Sequence, residues 1–142
     1  MTSASTPAPT HRATGTFEVQ MSPEPPFSTA DGVTLGRISI TKQFHAALEG
    51  TSVVSMLSAG TPVKGSAGYV AIERVEGALD GRRGTFVLQH SGTMNRGAPQ
   101  LTVTIVPDSG TGELTGIRGS MTIDIVDKKH LYTLSYGHAS SP

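Results

Sequence analysis

Glu73 and His90 are the residues whose types and spacing most directly suggest chemistry. They flank Asp80-Gly81 within YVAIERVEGALDGRRGTFVLQHSGTM, the stretch from Tyr69 to Met94. An Asp-Gly step between alternating segments signals a tight hairpin, because both central residues of such a turn need positive φ. The loop holds either Asp80-Gly81 alone or runs through Arg82-Arg83. Either even length puts Glu73 and Val75 on one face with Phe86, Leu88 and His90. Arg74, Glu76, Thr85, Val87 and Gln89 then share the other face. Glu73 and His90 would meet directly across the longer loop or diagonally across the shorter one. A carboxylate beside an imidazole is an acid/base unit near neutral pH. The same pair could instead orient a ligand, or pin strand register as a satisfied structural contact.

Other residues are read against plainer roles. Asp108-Ser109-Gly110-Thr111 resembles the catalytic turn of aspartic peptidases, whose chemistry needs two carboxylates sharing one proton. One copy per chain would require a twofold dimer, or a second carboxylate such as Glu73 or Asp124. The same tetrapeptide is ordinary turn chemistry, with Asp bonding its own backbone and Gly supplying positive φ. Asp124, Asp127 and His130 match no dedicated metal spacing, and Asp127-Lys-Lys-His130 reads as a polar hairpin loop. Gly60-Thr-Pro-Val-Lys-Gly65-Ser66 lacks the Lys that a phosphate loop needs after its last Gly. Tyr69, Tyr132 and Tyr136 could line a pocket or half-bury for packing. Neither G-x-S-x-G, H-E-x-x-H nor G-x-G-x-x-G occurs, which removes the commonest hydrolase, zincin and dinucleotide readings.

The elements that must position these groups are strands. Apolar residues repeat with period two: Phe17, Val19 and Met21; then Ile38, Ile40, Lys42, Phe44, Ala46 and Leu48 in a run from Leu35 to Gly50. Val53, Val54, Met56 and Leu57 form a further strand, and the Asp-Gly hairpin supplies two more. Leu101, Val103 and Ile105, then Met121, Ile123 and Ile125, then Tyr132, Leu134 and Tyr136 complete about eight strands. Only Gly112 to Ile117 suggests a short helical turn. One-sided alternation with Gly, Pro, Asp and Ser punctuation indicates an antiparallel sandwich or barrel. G-x-L-x-G-x-R-G occurs at Gly77–Gly84 and Gly112–Gly119, and G-T-F-x-x-Q-x-S at Gly15–Ser22 and Gly84–Ser91. Barrel corners that need Gly at similar offsets account for these echoes. The second one aligns His90 with Met21, consistent with an inward His90.

Composition sets outer limits. The 142 residues carry a net charge of zero and no cysteine, so disulfides and thiolate chemistry are excluded. There is no basic footprint for nucleic acid and no polybasic membrane patch. No apolar run approaches the ~18 residues of a membrane span. Residues 1–11 are expected to be a disordered tail without a secretory h-region, and 12–138 a single domain. A cytoplasmic location is expected.

The segments GTFEV, ITKQFHAALEGTS, IERVEGALDGRRGTFVLQHSGTM and IVPDSGTGELTGIRG resemble a family of small bacterial proteins of unknown function with an allene-oxide-cyclase-like, lipocalin-like β-barrel. The resemblance covers Ala13 to Tyr136 and implies a closed antiparallel barrel of about eight strands. Such a barrel is filled by side chains or holds one small ligand. It implies no substrate, and cyclase activity is not carried over because no catalytic residues match. The expected function is binding of a small apolar ligand, with Tyr69, Glu73, His90, Phe44, Phe86 and Leu88 around it and no cofactor or metal. One alternative is a hydrolase or isomerase working through Glu73 and His90 or through paired Asp108 turns. Another is a homo-oligomer with a solidly packed barrel.

Overall fold

The computed structural model describes residues 10–139. Nine strands follow in chain order: β1 His11–Pro23, β2 Ser28–Ala30, β3 Val33–Ala46, β4 Leu48–Gly60, β5 Ala67–Leu79, β6 Arg82–Asn95, β7 Ala98–Ile105, β8 Ile117–Val126 and β9 Lys129–His138. A 3-10 turn at Gly112–Leu114 precedes β8. All strands pair antiparallel in the order β1-β9-β8-β7-β6-β5-β4-β3-β2, and β1 also pairs with β3. That extra pairing, from Gly15 opposite Ala46 to Pro23 opposite Ile38, closes the sheet into an eight-stranded barrel with β2 as a spur. Closure removes the unpaired edges an open sheet would carry. The tail expected over 1–11 lies mostly outside the described residues, and His11 already belongs to β1.

The Asp-Gly hairpin takes its shorter form. Leu79 pairs with Arg82, and Asp80 and Gly81 adopt φ of 49° and 84°, as a primed turn requires. Two boundaries differ from the sequence reading. The run from Leu35 to Gly50 is not one strand: it breaks at Ala46 and Ala47 into the β3–β4 hairpin, with Phe44 opposite Gly50. Ala46 sits at φ 78° without being glycine. A distant side chain holds the break, since the Tyr132 hydroxyl donates to the His45 carbonyl at 2.8 Å and accepts from the Leu48 N–H at 2.8 Å. The loop expected at Asp127–His130 shrinks to Asp127-Lys128, and His130 joins β9.

The segment Val106–Thr111 explains the D-S-G-T tetrapeptide. β7 ends at Ile105 while its partner β6 continues to Arg82, which would leave that edge bare. Val106 N–H and Thr111 N–H donate to the Val87 and Thr85 carbonyls, each at 2.8 Å. In return the Ser109 and Thr111 hydroxyls accept the Val87 and Thr85 N–H groups at 3.0 and 3.1 Å. Asp108 occupies the exposed bend of this strap at φ 63°. Polar side chains here complete a sheet edge, the accounting that backbone groups demand.

One end of the barrel is packed solid. Phe44, Leu48, Val75, Leu79, Phe86, Leu88, Leu114, Ile117, Tyr132 and Leu134 are buried together there. Gly50 and Gly77 face each other in this region, and a Cβ on Gly50 would overlap the Glu76 carbonyl oxygen. Absent side chains thus let β4 and β5 bend sharply into the corner.

Candidate functional site

Alternation along four adjacent strands builds a polar layer inside the barrel. β3 directs Ile40, Lys42 and Phe44 inward; β4 directs Ser52 and Val54; β5 directs Ala71, Glu73 and Val75; β6 directs Leu88 and His90. Phe44, Val75 and Leu88 belong to the packed end. Ile40, Val54 and Ala71 form a separate small cluster beyond. Lys42, Ser52, Glu73 and His90, all buried, lie between the two in each strand's order.

Glu73 is fully buried and is the centre of that layer. Its Oε1 accepts from Lys42 Nζ at 3.0 Å and from His90 Nε2 at 2.7 Å. Oε2 accepts from the Ser52 hydroxyl at 2.6 Å. Burial by itself would push the Glu73 carboxyl up. The His90 hydrogen bond, the Lys42 charge and the Ser52 hydroxyl together outweigh it and hold the group below its ordinary value. Glu73 is therefore a carboxylate and can only accept. Lys42 balances its charge, and the Lys42 ammonium also lies 4.7 Å from the Phe17 ring centre and 5.9 Å from that of Phe44, a cation–π arrangement.

Above this layer the interior is hollow. A chamber of about 140 Å³ is bounded by apolar side chains including Phe17, Ile40, Val54 and Ala71, with Lys42, Tyr69, His90 and His130 on its wall. Met56 and Tyr69 also line an open mouth of about 620 Å³, where Met94, Pro99, Leu101 and Ile125 contribute apolar surface. Tyr69 is half-buried, its ring 6.5 Å from that of His90. Burial first, and the Glu73 charge second, push its phenol up, so it is a neutral donor at neutral pH. The His130 ring packs against Phe17 with centres 5.0 Å apart and planes tilted by 31°.

With this geometry in view, the relatives can be placed. The sequence profile of a family described as protein of unknown function (DUF3224) matches residues 13–136. The chain belongs to the DUF3224 family. It is similar to a DUF3224 protein of unknown function from Shewanella oneidensis MR-1, known from its crystal structure. The two share 48% identity over 92% of this chain and 98% of that one, with a TM-score of 0.89. No curated protein matches the chain.

In this DUF3224 barrel the hairpin brings Glu73 and His90 together diagonally, and Tyr69 stands beside them at the chamber wall. Phe44, Phe86 and Leu88 point inward but are buried in the packed end and are not among the residues that border the chamber. Two to four residues along a strand separate one end of a barrel from the other, which face alternation alone does not distinguish. Asp108 is exposed on the strap and lies apart from the chamber wall. Tyr132 and Tyr136 are buried at the packed end, where the Tyr136 hydroxyl donates to Asp80. Lys42, Ser52 and His130 are the site residues that sequence reasoning missed. For Lys42 the signal was present, as a cation in the inward slot of the Ile38, Ile40, Phe44 alternation. Among the described residues no three His, Cys, Asp or Glu groups converge to hold a metal ion. No described helix is long and apolar enough to cross a membrane.

Proposed function

We propose that this DUF3224 protein binds a small amphipathic molecule, its apolar body in the barrel mouth and its polar end against Lys42, His90 and Tyr69. One observation carries this reading. A fully charge-paired polar layer closes the floor of an otherwise apolar chamber that opens outward through a larger apolar mouth. Ligand sites have this composition, mostly apolar walls with a few convergent polar groups, and volumes of roughly 300–1,000 Å³. A chamber of ~150 Å³ lined by apolar side chains suffices for a benzene ring, so the inner space suits a single ring or a short branched end. The packed end explains why the remainder of the barrel takes no part.

A second reading has its own support. A histidine whose Nε2 is held by a carboxylate and whose ring borders a cavity is the arrangement of a general base. An isomerase or hydrolase acting on the bound molecule would use His90 for proton transfer, with Glu73 holding the ring. The full charge neutralisation of Glu73 by Lys42 weakens its support for an imidazolium, which favours binding over catalysis.

The test is a thermal-shift panel of single-ring compounds bearing hydroxyl, carboxylate or amide groups, run on wild type and on Ala71→Phe. Ala71 lines the chamber directly opposite His90 and makes no side-chain hydrogen bond of the polar layer, so Phe fills the space beside that layer. A ligand at a hundredfold excess over its Kd adds about 2.7 kcal/mol, a rise of roughly 8 °C for a domain of this size. A wild-type protein that no compound shifts, or a shift that survives in Ala71→Phe, would sink the proposal.

A further inference from the structure

The polar layer leaves specific valences unused, and these define what the polar end must be. Glu73 has no proton to give, so His90 Nε2 carries the hydrogen that the 2.7 Å contact requires. In the neutral ring Nδ1 is then a lone-pair acceptor, and no described protein group bonds it. Among the described residues no sealed side-chain nitrogen or oxygen lacks a partner, so Nδ1 is open to the chamber that His90 lines. Lys42 donates one of its three N–H bonds to Glu73 and has the others directed elsewhere. The Tyr69 hydroxyl, at the junction of chamber and mouth, makes no hydrogen bond with another described side chain. The chamber wall thus offers one acceptor, on His90, beside donors on Lys42 and Tyr69.

We propose that the ligand's polar end is a ring hydroxyl, of a phenol or a cyclic enol, donating its proton to His90 Nδ1 while its oxygen accepts from Lys42 or Tyr69. This deepens the binding reading above and rests on it. A hydroxyl is the smallest group that satisfies both kinds of valence at once. A ketone, ether or carboxylate leaves Nδ1 facing an acceptor, and a buried polar group without a partner rejects such analogues strongly. The charge count agrees. Lys42 and Glu73 cancel, so the site takes a neutral donor without importing net charge, whereas an anion would enter a neutral, apolar chamber uncompensated. The ionisable groups that border His90 are Glu73 and Tyr69 on β5, Lys42 on β3 and His130 on β9. None of them other than Lys42 supplies a standing positive charge for an anion.

The decisive probes are 4-nitrophenol and 4-nitroanisole, rings of nearly equal size of which only the first has a hydroxyl proton. Isothermal titration of wild type is expected to give 4-nitrophenol at least roughly tenfold tighter than 4-nitroanisole, the effect of leaving one buried acceptor unpaired. In His90→Leu, which leaves the Lys42–Glu73–Ser52 contacts in place, the two affinities should converge. Above the pKa of the probe, its affinity for wild type should fall about tenfold per pH unit, since the phenolate has no proton for Nδ1. Equal affinities in wild type would overturn the hydroxyl assignment while leaving the binding site standing. A flat pH profile would overturn it too, by placing recognition on Lys42 alone. Failure of both probes to bind, with the ring panel also silent, would remove the site itself. The wild-type comparison decides the matter even where His90→Leu does not fold.

Discussion

Replacing Lys42 by Met keeps most of the length and volume of the side chain but removes the permanent positive charge paired with Glu73. At 3.0 Å and an effective dielectric of ~20, the lost Coulomb attraction is about 5 kcal/mol. Measured losses when one partner of a buried pair is deleted are about 3–5 kcal/mol. The desolvation cost of Lys42 disappears with it, so the lower half of that range is expected near pH 8. The pH dependence is the sharper signature. In wild type the Glu73 carboxyl is held below its ordinary value of 4.5, chiefly by the His90 hydrogen bond and the Lys42 charge working against burial. Its contribution to stability is therefore present above that value and lost as pH falls through the lower folded one. In Lys42→Met one of the influences that lower the Glu73 carboxyl is gone, so burial pulls it back up towards or above its ordinary value. A group that binds its proton more tightly when folded stabilises at low pH and loses that effect as pH rises. The cost of the substitution should thus be greatest above about pH 6 and shrink as pH falls towards about 4, where wild type also loses the Glu73 contribution. Urea unfolding followed by far-UV circular dichroism at several pH values measures both trends. Adding Glu73→Gln to Lys42→Met should restore part of the loss near pH 8, because the unpaired charge is then gone. A single variant destabilised by under about 1 kcal/mol, or equally at every pH, would refute the account of Lys42 as the counter-charge.

Further outcomes follow from other parts of the barrel. Tyr132→Phe removes the hydroxyl that bridges the His45 carbonyl and the Leu48 N–H; denaturant titration should show a loss of about 1–3 kcal/mol, the cost of a buried backbone group left unpaired. Gly50→Ala forces a methyl against the Glu76 carbonyl and should lower Tm well beyond Gly60→Ala, whose added Cβ meets nothing within 4 Å; equal Tm values would contradict the corner geometry. Ser109→Ala deletes the acceptor for the Val87 N–H, so hydrogen exchange at Val87 should quicken while Glu73 and His90 remain paired.

Several features were legible before any tertiary information. The Asp-Gly hairpin, the inward face shared by Glu73 and His90, and about eight antiparallel strands come from local rules of alternation and turn chemistry, whereas closure into a barrel rather than a sandwich was implied only by the family resemblance. The 3-10 turn at Gly112–Leu114 was visible as the one break in that pattern. Lys42 was also visible on the inward face, yet nothing connected it to Glu73. They lie on β3 and β5, with β4 between them, and cross-strand rules pair only immediate neighbours. The break at Ala46-Ala47 carries no Gly or Pro, because Tyr132 on β9 enforces it from across the barrel.

The amino-acid order alone determined which side chains face inward, since strand period and hairpin parity act over a few residues. It also determined that a carboxylate and an imidazole share that face. Only closure of the barrel decided their height within it, and so separated the sealed Phe44, Phe86 and Leu88 from the chamber walled by Tyr69 and His90. The pairing registers of β3 with β4 and β4 with β5 likewise brought Lys42 and Ser52 onto the two oxygens of Glu73. A carboxylate can remain ionised in an apolar interior only when it is surrounded by donors from several strands, and that surrounding is a property of the closed surface rather than of any one segment.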